Sequence, residues 1–191
     1  MENLDFTDLL SKDPKIKYPF AKKLLAFARE NPAEIYPNLD FFIELLDNEN
    51  KIIKWTAIDI IEILARVDRA KKIDKLMSKI FGLLSAGNLI TANHAIAALT
   101  DIAMSKPEHR TEITNALLGV EHCDYDTDEC RNIAIGKVIL AISMYFDELD
   151  DKETTIECVR RQTKNTRNAT RKKAEQFLRK YNDKIEVKLV S

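Results

Sequence analysis

Glycine and proline are scarce in this 191-residue sequence, with four and five residues respectively, so there are few sites for tight turns. Leu, Ile, Ala, Lys and Glu are abundant instead, and apart from the β-branched Ile these residues favour helices. Cysteine is nearly absent. Cys123, Cys130 and Cys158 form an odd, sparse set that excludes a disulfide framework and predicts reduced thiols. No apolar run approaches the ~18 residues that a membrane span requires. The opening MENLDFTDLLSKD carries acids where an export signal carries bases. A cytoplasmic protein with no membrane partner is therefore expected. Gly82, Gly87, Gly119 and Gly136 stand isolated, which excludes a glycine-rich phosphate loop.

The composition that remains is that of a globular chain. Hydrophobic residues make up 45%, enough for a core in one domain or one short repeat array. A net charge of −1 hides strong segregation. Glu121 to Glu157 holds eleven acids against three bases, a balance of −8, and Arg160 to Lys184 holds ten bases against two acids, a balance of +8. Charge gathered in this way raises the local potential and attracts an opposite surface, or else it decorates a solvated end.

The main signal is an internal repeat. Five segments place an Ala ahead of apolar residues three, four and seven positions later, which is the spacing of one helical face. They are Ala21, Leu24, Leu25, Ala28; Ala57, Ile60, Ile61, Leu64; Ala95, Ala98, Leu99, Ile102; Ala134, Lys137, Val138, Ala141; and Ala174, Phe177, Leu178, Tyr181, with Lys137 alone breaking the pattern. The Ala positions are 36, 38, 39 and 40 residues apart, room for two helices of about four turns and two short connections. Between them lie partner stripes at the same spacing: Leu39, Phe42, Ile43, Leu46; Ile73, Leu76, Met77, Ile80; and Ile113, Ala116, Leu117, Val120. Each of these is expected to form the outer helix of a hairpin.

Breaks fall at Asn31-Pro32, Asp47 to Asn50, Ala86 to Asn88, Lys106-Pro107 and Asp124 to Asp128. Pro32 and Pro107 suit a first helical turn, and Asn50, Asn88 or Asp128 suit a cap. The recurring Ala permits second helices of successive repeats to approach to about 8–10 Å. The short segment Glu2 to Leu10 and the weakly apolar helix around Ile156 and Val159 read as caps. Residues 1–183 are expected to form a single repeat domain, and 184–191 an alternating tail, either a short strand or disordered.

The stretch YPNLDFFIELLDNENKIIKWTAIDIIEILARVD, Tyr36 to Asp68, resembles a HEAT repeat in its Pro37, Leu45-Leu46-Asp47, Lys54 and Ala57, taken in order. Arg131 and Arg171 fill the basic position in two further repeats, whereas Tyr18 and Ala92 replace it in the others. The resemblance spans about Asp13 to Asp183 and implies an all-α fold, a right-handed α-α superhelix of about five helix hairpins. It also implies a scaffold or adaptor that holds a protein partner on a concave face lined by the second helices. Lys22, Lys23, Trp55, Asp59, Asn93, His94 and Arg131 are the residues expected on that face.

The alternative is nucleic-acid binding through the basic C-terminal hairpin, with Arg167, Arg171, Lys172, Lys173 and Lys180 contacting phosphates. Trp55 with Lys54 and Asp59 also resembles the base-extruding set of HEAT-like DNA glycosylases, but no motif of that family maps onto defined positions, and no enzyme activity is expected. His122, Cys123 and Cys130, with Cys158, offer ligands of the kind zinc prefers. Their spacing matches no zinc module, so they are read as buried or turn residues, and no cofactor or metal is expected. His94 and His109 have no acid–base partner at an obvious spacing.

Overall fold

In a computed structural model, which describes the backbone of residues 5–186 and side chains as far as Tyr181, the chain is all-helical. The described residues contain no strand, only an isolated bridge between Gly87 and Tyr125. No helix among them is long and apolar enough to cross a membrane. The chain divides into two compact units, one ending at Met77 and the other beginning at Ser78.

The first unit opens with a 3-10 turn, Thr7–Leu10, then α1 (Pro14–Glu30), α2 (Pro32–Ile35), α3 (Leu39–Leu45) and α4 (Lys51–Leu64). Within it α4 packs against both α1 and α3. Its C-terminal turns, Ala65–Val67 and Ile73–Leu76, are fixed by Asp68. This buried carboxylate accepts hydrogen bonds from the Lys72 and Ile73 amides at 2.9 Å and from the Tyr36 hydroxyl at 2.6 Å.

From Met77 onward the chain forms α5 (Met77–Leu84), α6 (Leu89–Ser105), α7 (Arg110–Leu118), α8 (Asp128–Ile142), α9 (Glu153–Gln162) and α10 (Asn168–Glu186). In the second unit α8 lies between α6 and α10, while α7 packs on α6, α8 and α9, and α9 on α10. The helix starts are built from side-chain caps. Asn50 accepts from the amides of Ile52 and Ile53, Asn88 from Thr91. At α8 the expected cap, Asp128, is corrected to Thr127, whose hydroxyl accepts from the Cys130 amide, and Asp128 sits one residue inside, paired with Arg131. Thr127 has the extended backbone (φ −148°, ψ 158°) that a cap needs. Gly87 takes φ +75° at the α5–α6 turn, a conformation that costs other residues roughly 1 kcal/mol or more. The Tyr125 hydroxyl ties this turn down by donating to the Leu84 carbonyl at 2.7 Å.

Two expectations about length are also corrected. Hairpins of four turns on each side are not formed: α3, α5, α7 and α9 have 7, 8, 9 and 10 residues, against 17, 14, 17, 15 and 19 for α1, α4, α6, α8 and α10. Part of the missing length lies in 3-10 turns at Tyr36–Asn38, Ile73–Leu76, Pro107–His109 and Gly119–His122. Two of these contain a proline, Pro37 or Pro107, whose missing N–H removes a donor from a continuing α-helical ladder. The tail expected from 184 is not a separate element as far as it is described, because α10 continues through Glu186, and residues 187–191 lie outside the described residues.

Apolar burial follows the stripes. Ala57, Ile60, Ile61, Leu64, Ala95, Ala98, Leu99, Ile102, Ala134, Ala174, Phe177 and Tyr181 are all buried. Lys137 is exposed, and Leu25 and Leu178 are half-buried at the edges of their faces. The α8–α10 contact is close at Gly136, where an added Cβ would stand 2.8 Å from the Thr170 hydroxyl oxygen. That hydroxyl donates to the Asn132 carbonyl at 2.6 Å and cannot swing away without losing the bond. Alanine at position 136 is therefore expected to destabilise by about 1–2 kcal/mol. The same change at Gly82, within α5 and with nothing within 4 Å of the new carbon, is expected to stabilise by about 0.5–1 kcal/mol through helix propensity. Thermal melts of the two variants should shift in opposite directions, and two upward shifts would show that the helices separate freely at Gly136.

Candidate protein-docking face

In the second unit α8 is flanked by α6 and α10 and backed by α7, while α6 has α8 beside it and α7 behind, and α10 has α8 beside it and α9 behind. The exposed residues of these helices mark the remaining, open side. On α6 the open side carries Ile90, Ala97, Asp101 and Met104, spaced seven, four and three residues apart. On α8 it carries Ile133, Lys137 and Leu140, with Met144 just past the helix end. Ile90, Met104, Leu140 and Met144 are 48%, 47%, 46% and 59% exposed. Unbranched Met side chains conform to varied partner surfaces.

The side of α10 nearest Gly136 contributes Lys173. Its Nζ lies 3.4 Å and its Cδ 3.5 Å from where a Cβ on residue 136 would stand, so the chain is laid across the α8–α10 seam. Burial, then the nearby charges of Lys137 and Arg167, pull the Lys173 pKa below its usual range. Further along α10, the Lys180 ammonium sits 4.8 Å above the Tyr181 ring.

The residues expected on a binding face divide between the units. In the first, Lys22 and Lys23 are exposed on α1, with Ile16, Lys23 and Phe27 sharing one side of the helix, while Trp55 and Asp59 are half-buried one turn apart on α4. In the second, Asn93 and His94 are half-buried beside the open side of α6, and the Asn93 Oδ1 is buried with no hydrogen-bond partner among the described residues. Arg131 does not belong with the α8 ridge: it lies six residues before Lys137, about 120° around the helix, and engages Asp128.

The basic hairpin is partly neutralised from within. Arg167 donates to Glu129 at 2.7 Å, and Arg161 pairs with Glu121, so two bases of the +8 segment are matched by acids of the −8 segment. Arg171 donates to the Asn165 carbonyl and the Asn168 side chain, both at 3.1 Å. Lys137, Lys172, Lys173 and Arg179 have no carboxylate within ion-pair distance among the described residues.

The sulfur and imidazole groups are dispersed in role. Cys158 is buried, and burial first, then Glu121, pushes its thiol up to about 11, far from the thiolate that reactivity requires. Cys123 follows the Gly119–His122 turn with its thiol on the Gly119 carbonyl, and Cys130 is half-buried in α8. His109 does have an acidic neighbour, contrary to expectation. Its Nδ1 lies 3.9 Å from Glu112 three residues on, a pairing that one helical turn produces. A polar cleft lined by Thr111, Asn115, Asp151 and Thr155 offers about 60 Å³, room for a few water molecules and not for a substrate-sized ligand.

Features that bind these positions together were hidden from pattern reading. Leu140, Met144, Ile90 and Met104 belong to no repeat stripe, which marked their buried neighbours; the signal available was the Ile133, Lys137, Leu140, Met144 and Ile90, Ala97, Asp101, Met104 spacings to one side of those stripes. No protein-family model matches the chain, and no curated protein sequence matches it.

Proposed function

We propose that the chain is a short HEAT-like helical-repeat scaffold, a right-handed α-α superhelix, that binds another protein through the open side of its second helices. The observation that carries this reading is the row of large aliphatic side chains on α6 and α8: Ile90, Met104, Leu140 and Met144. Single exposed apolar residues are ordinary, whereas Leu140 and Met144 stand four residues apart at the end of α8, and the neighbouring α6 exposes Ile90 and Met104 as well; apolar surface of this kind is what protein interfaces cover. The repeat spacing and the HEAT-like order of residues in Tyr36 to Asp68 support the scaffold class.

Aspartate at both Leu140 and Met144 tests the reading. Both side chains already face solvent, so helical circular dichroism and melting should hold, while affinity for a partner captured with the native chain should fall by about 10–100-fold. Undiminished affinity would remove the face from consideration.

A second reading is nucleic-acid binding through Arg167, Arg171, Lys172, Lys173 and Lys180, favoured by the lack of carboxylate partners at Lys172 and Lys173. It predicts saturable anisotropy changes with labelled DNA or RNA that weaken steeply with salt and vanish on charge reversal at Arg171, Lys172 and Lys173.

A further inference from the structure

We infer that the segment which docks on the open side of α6, α8 and α10 is an acidic amphipathic stretch of a partner protein. Its aliphatic side chains would lie against Ile90, Met104, Leu140 and Met144, and its carboxylates against Lys137 and Lys173. The inference rests on the protein-docking reading above and adds the chemistry of the partner.

Three observations meet at this face. Among the described residues, the exposed large apolar side chains of the second unit are all aliphatic or thioether. Nucleic-acid bases, by contrast, are held by stacking on aromatic rings or guanidinium planes, so the apolar half of the face suits protein side chains. Next to that row the α8–α10 seam is positive. Lys137 is exposed, Lys173 is laid over Gly136 beside it, and Glu129 in the first turn of α8 is already engaged by Arg167. Lys137, Lys173 and Arg167 therefore gather like charges, and among the described residues neither lysine has a carboxylate at ion-pair distance; burial first, and then these charges, lowers the Lys173 pKa. An incoming carboxylate relieves this repulsion, and being partly desolvated on docking it gains more from two ammonium groups than it would in open water.

The test is selection of displayed 16-residue amphipathic helical peptides, randomised in charge, on the full chain. Selected peptides are then measured against wild type, Lys137→Glu/Lys173→Glu and Leu140→Asp/Met144→Asp. The expected pool is rich in Glu or Asp beside Leu, Ile or Met, and its members lose about 10-fold or more in affinity on each double variant. Lys137→Gln, a milder change at an exposed position, should lose less with an unaltered melt, which separates charge from folding. Binders that need Leu140 and Met144 but ignore both lysines would overturn the acidic-partner inference and leave the docking face standing. An empty selection, or binders indifferent to both double variants, would overturn both.

Discussion

Truncating Phe146 to alanine is expected to cost about 3–5 kcal/mol. Phe146 lies in the short turn after α8 and is 1% exposed; its ring meets Phe177 at 4.9 Å and Tyr181 at 4.4 Å between centroids, and those two rings lie 4.8 Å apart. This cluster joins the end of α8 to the middle of α10, so its loss opens a cavity between elements rather than within one. The Tyr181 hydroxyl, donating to the Ser143 carbonyl at 2.9 Å, fixes the same corner and limits how far the walls can collapse into the void. Phe146→Leu should recover most of the loss because it keeps the apolar volume. Urea unfolding followed by circular dichroism measures both. A cost below about 1 kcal/mol for alanine would mean that α10 does not depend on this corner.

The second large effect belongs to Asp68. Asp68→Ala is expected to destabilise by about 3 kcal/mol, since hydrogen bonds to a charged group each contribute roughly 1.5–3 kcal/mol and their removal strands buried donors. The donors that converge on this carboxylate include the Tyr36 hydroxyl and the amides of Lys72 and Ile73. Asn at the same position keeps one acceptor oxygen but turns an amide N–H₂ toward one of these donors, and should recover little. Tyr36→Phe removes one of these bonds and should cost about 1–1.5 kcal/mol. If alanine and Tyr36→Phe were equally mild, the turn from Asp68 to Leu76 would be held by its apolar residues alone. That outcome is testable because Ile73 and Leu76 are buried.

Both effects show where sequence reading reaches and where it stops. The stripe that begins at Ala174 marked Phe177 and Tyr181 as a buried pair, and they are buried. Phe146 belongs to no stripe, since it follows α8 in a turn of three residues, and only the packing of that turn on α10 makes it core. Asp68 is four and five residues from two of its donors, Lys72 and Ile73, but Tyr36 is 32 residues away. The same holds for charge. The −8 and +8 segments were visible as composition, but that Glu129 takes Arg167 and Glu121 takes Arg161 depends on helices 38 and 40 residues apart coming into register.

The sequence by itself determined what is local: the starts capped by Asn50 and Asn88, the Gly87 turn, and which face of each helix is apolar. Those properties follow from the 3.6-residue period and from side chains acting on their own backbone. Tertiary structure alone decided what crosses between helices: the packing of Phe146 on Phe177 and Tyr181, the Glu129–Arg167 and Glu121–Arg161 pairs, and the close seam at Gly136. It also decided which exposed side chains share the open side of α6, α8 and α10. A side chain's own helix sets the direction it points, but only the neighbouring helices decide whether anything is there to cover it.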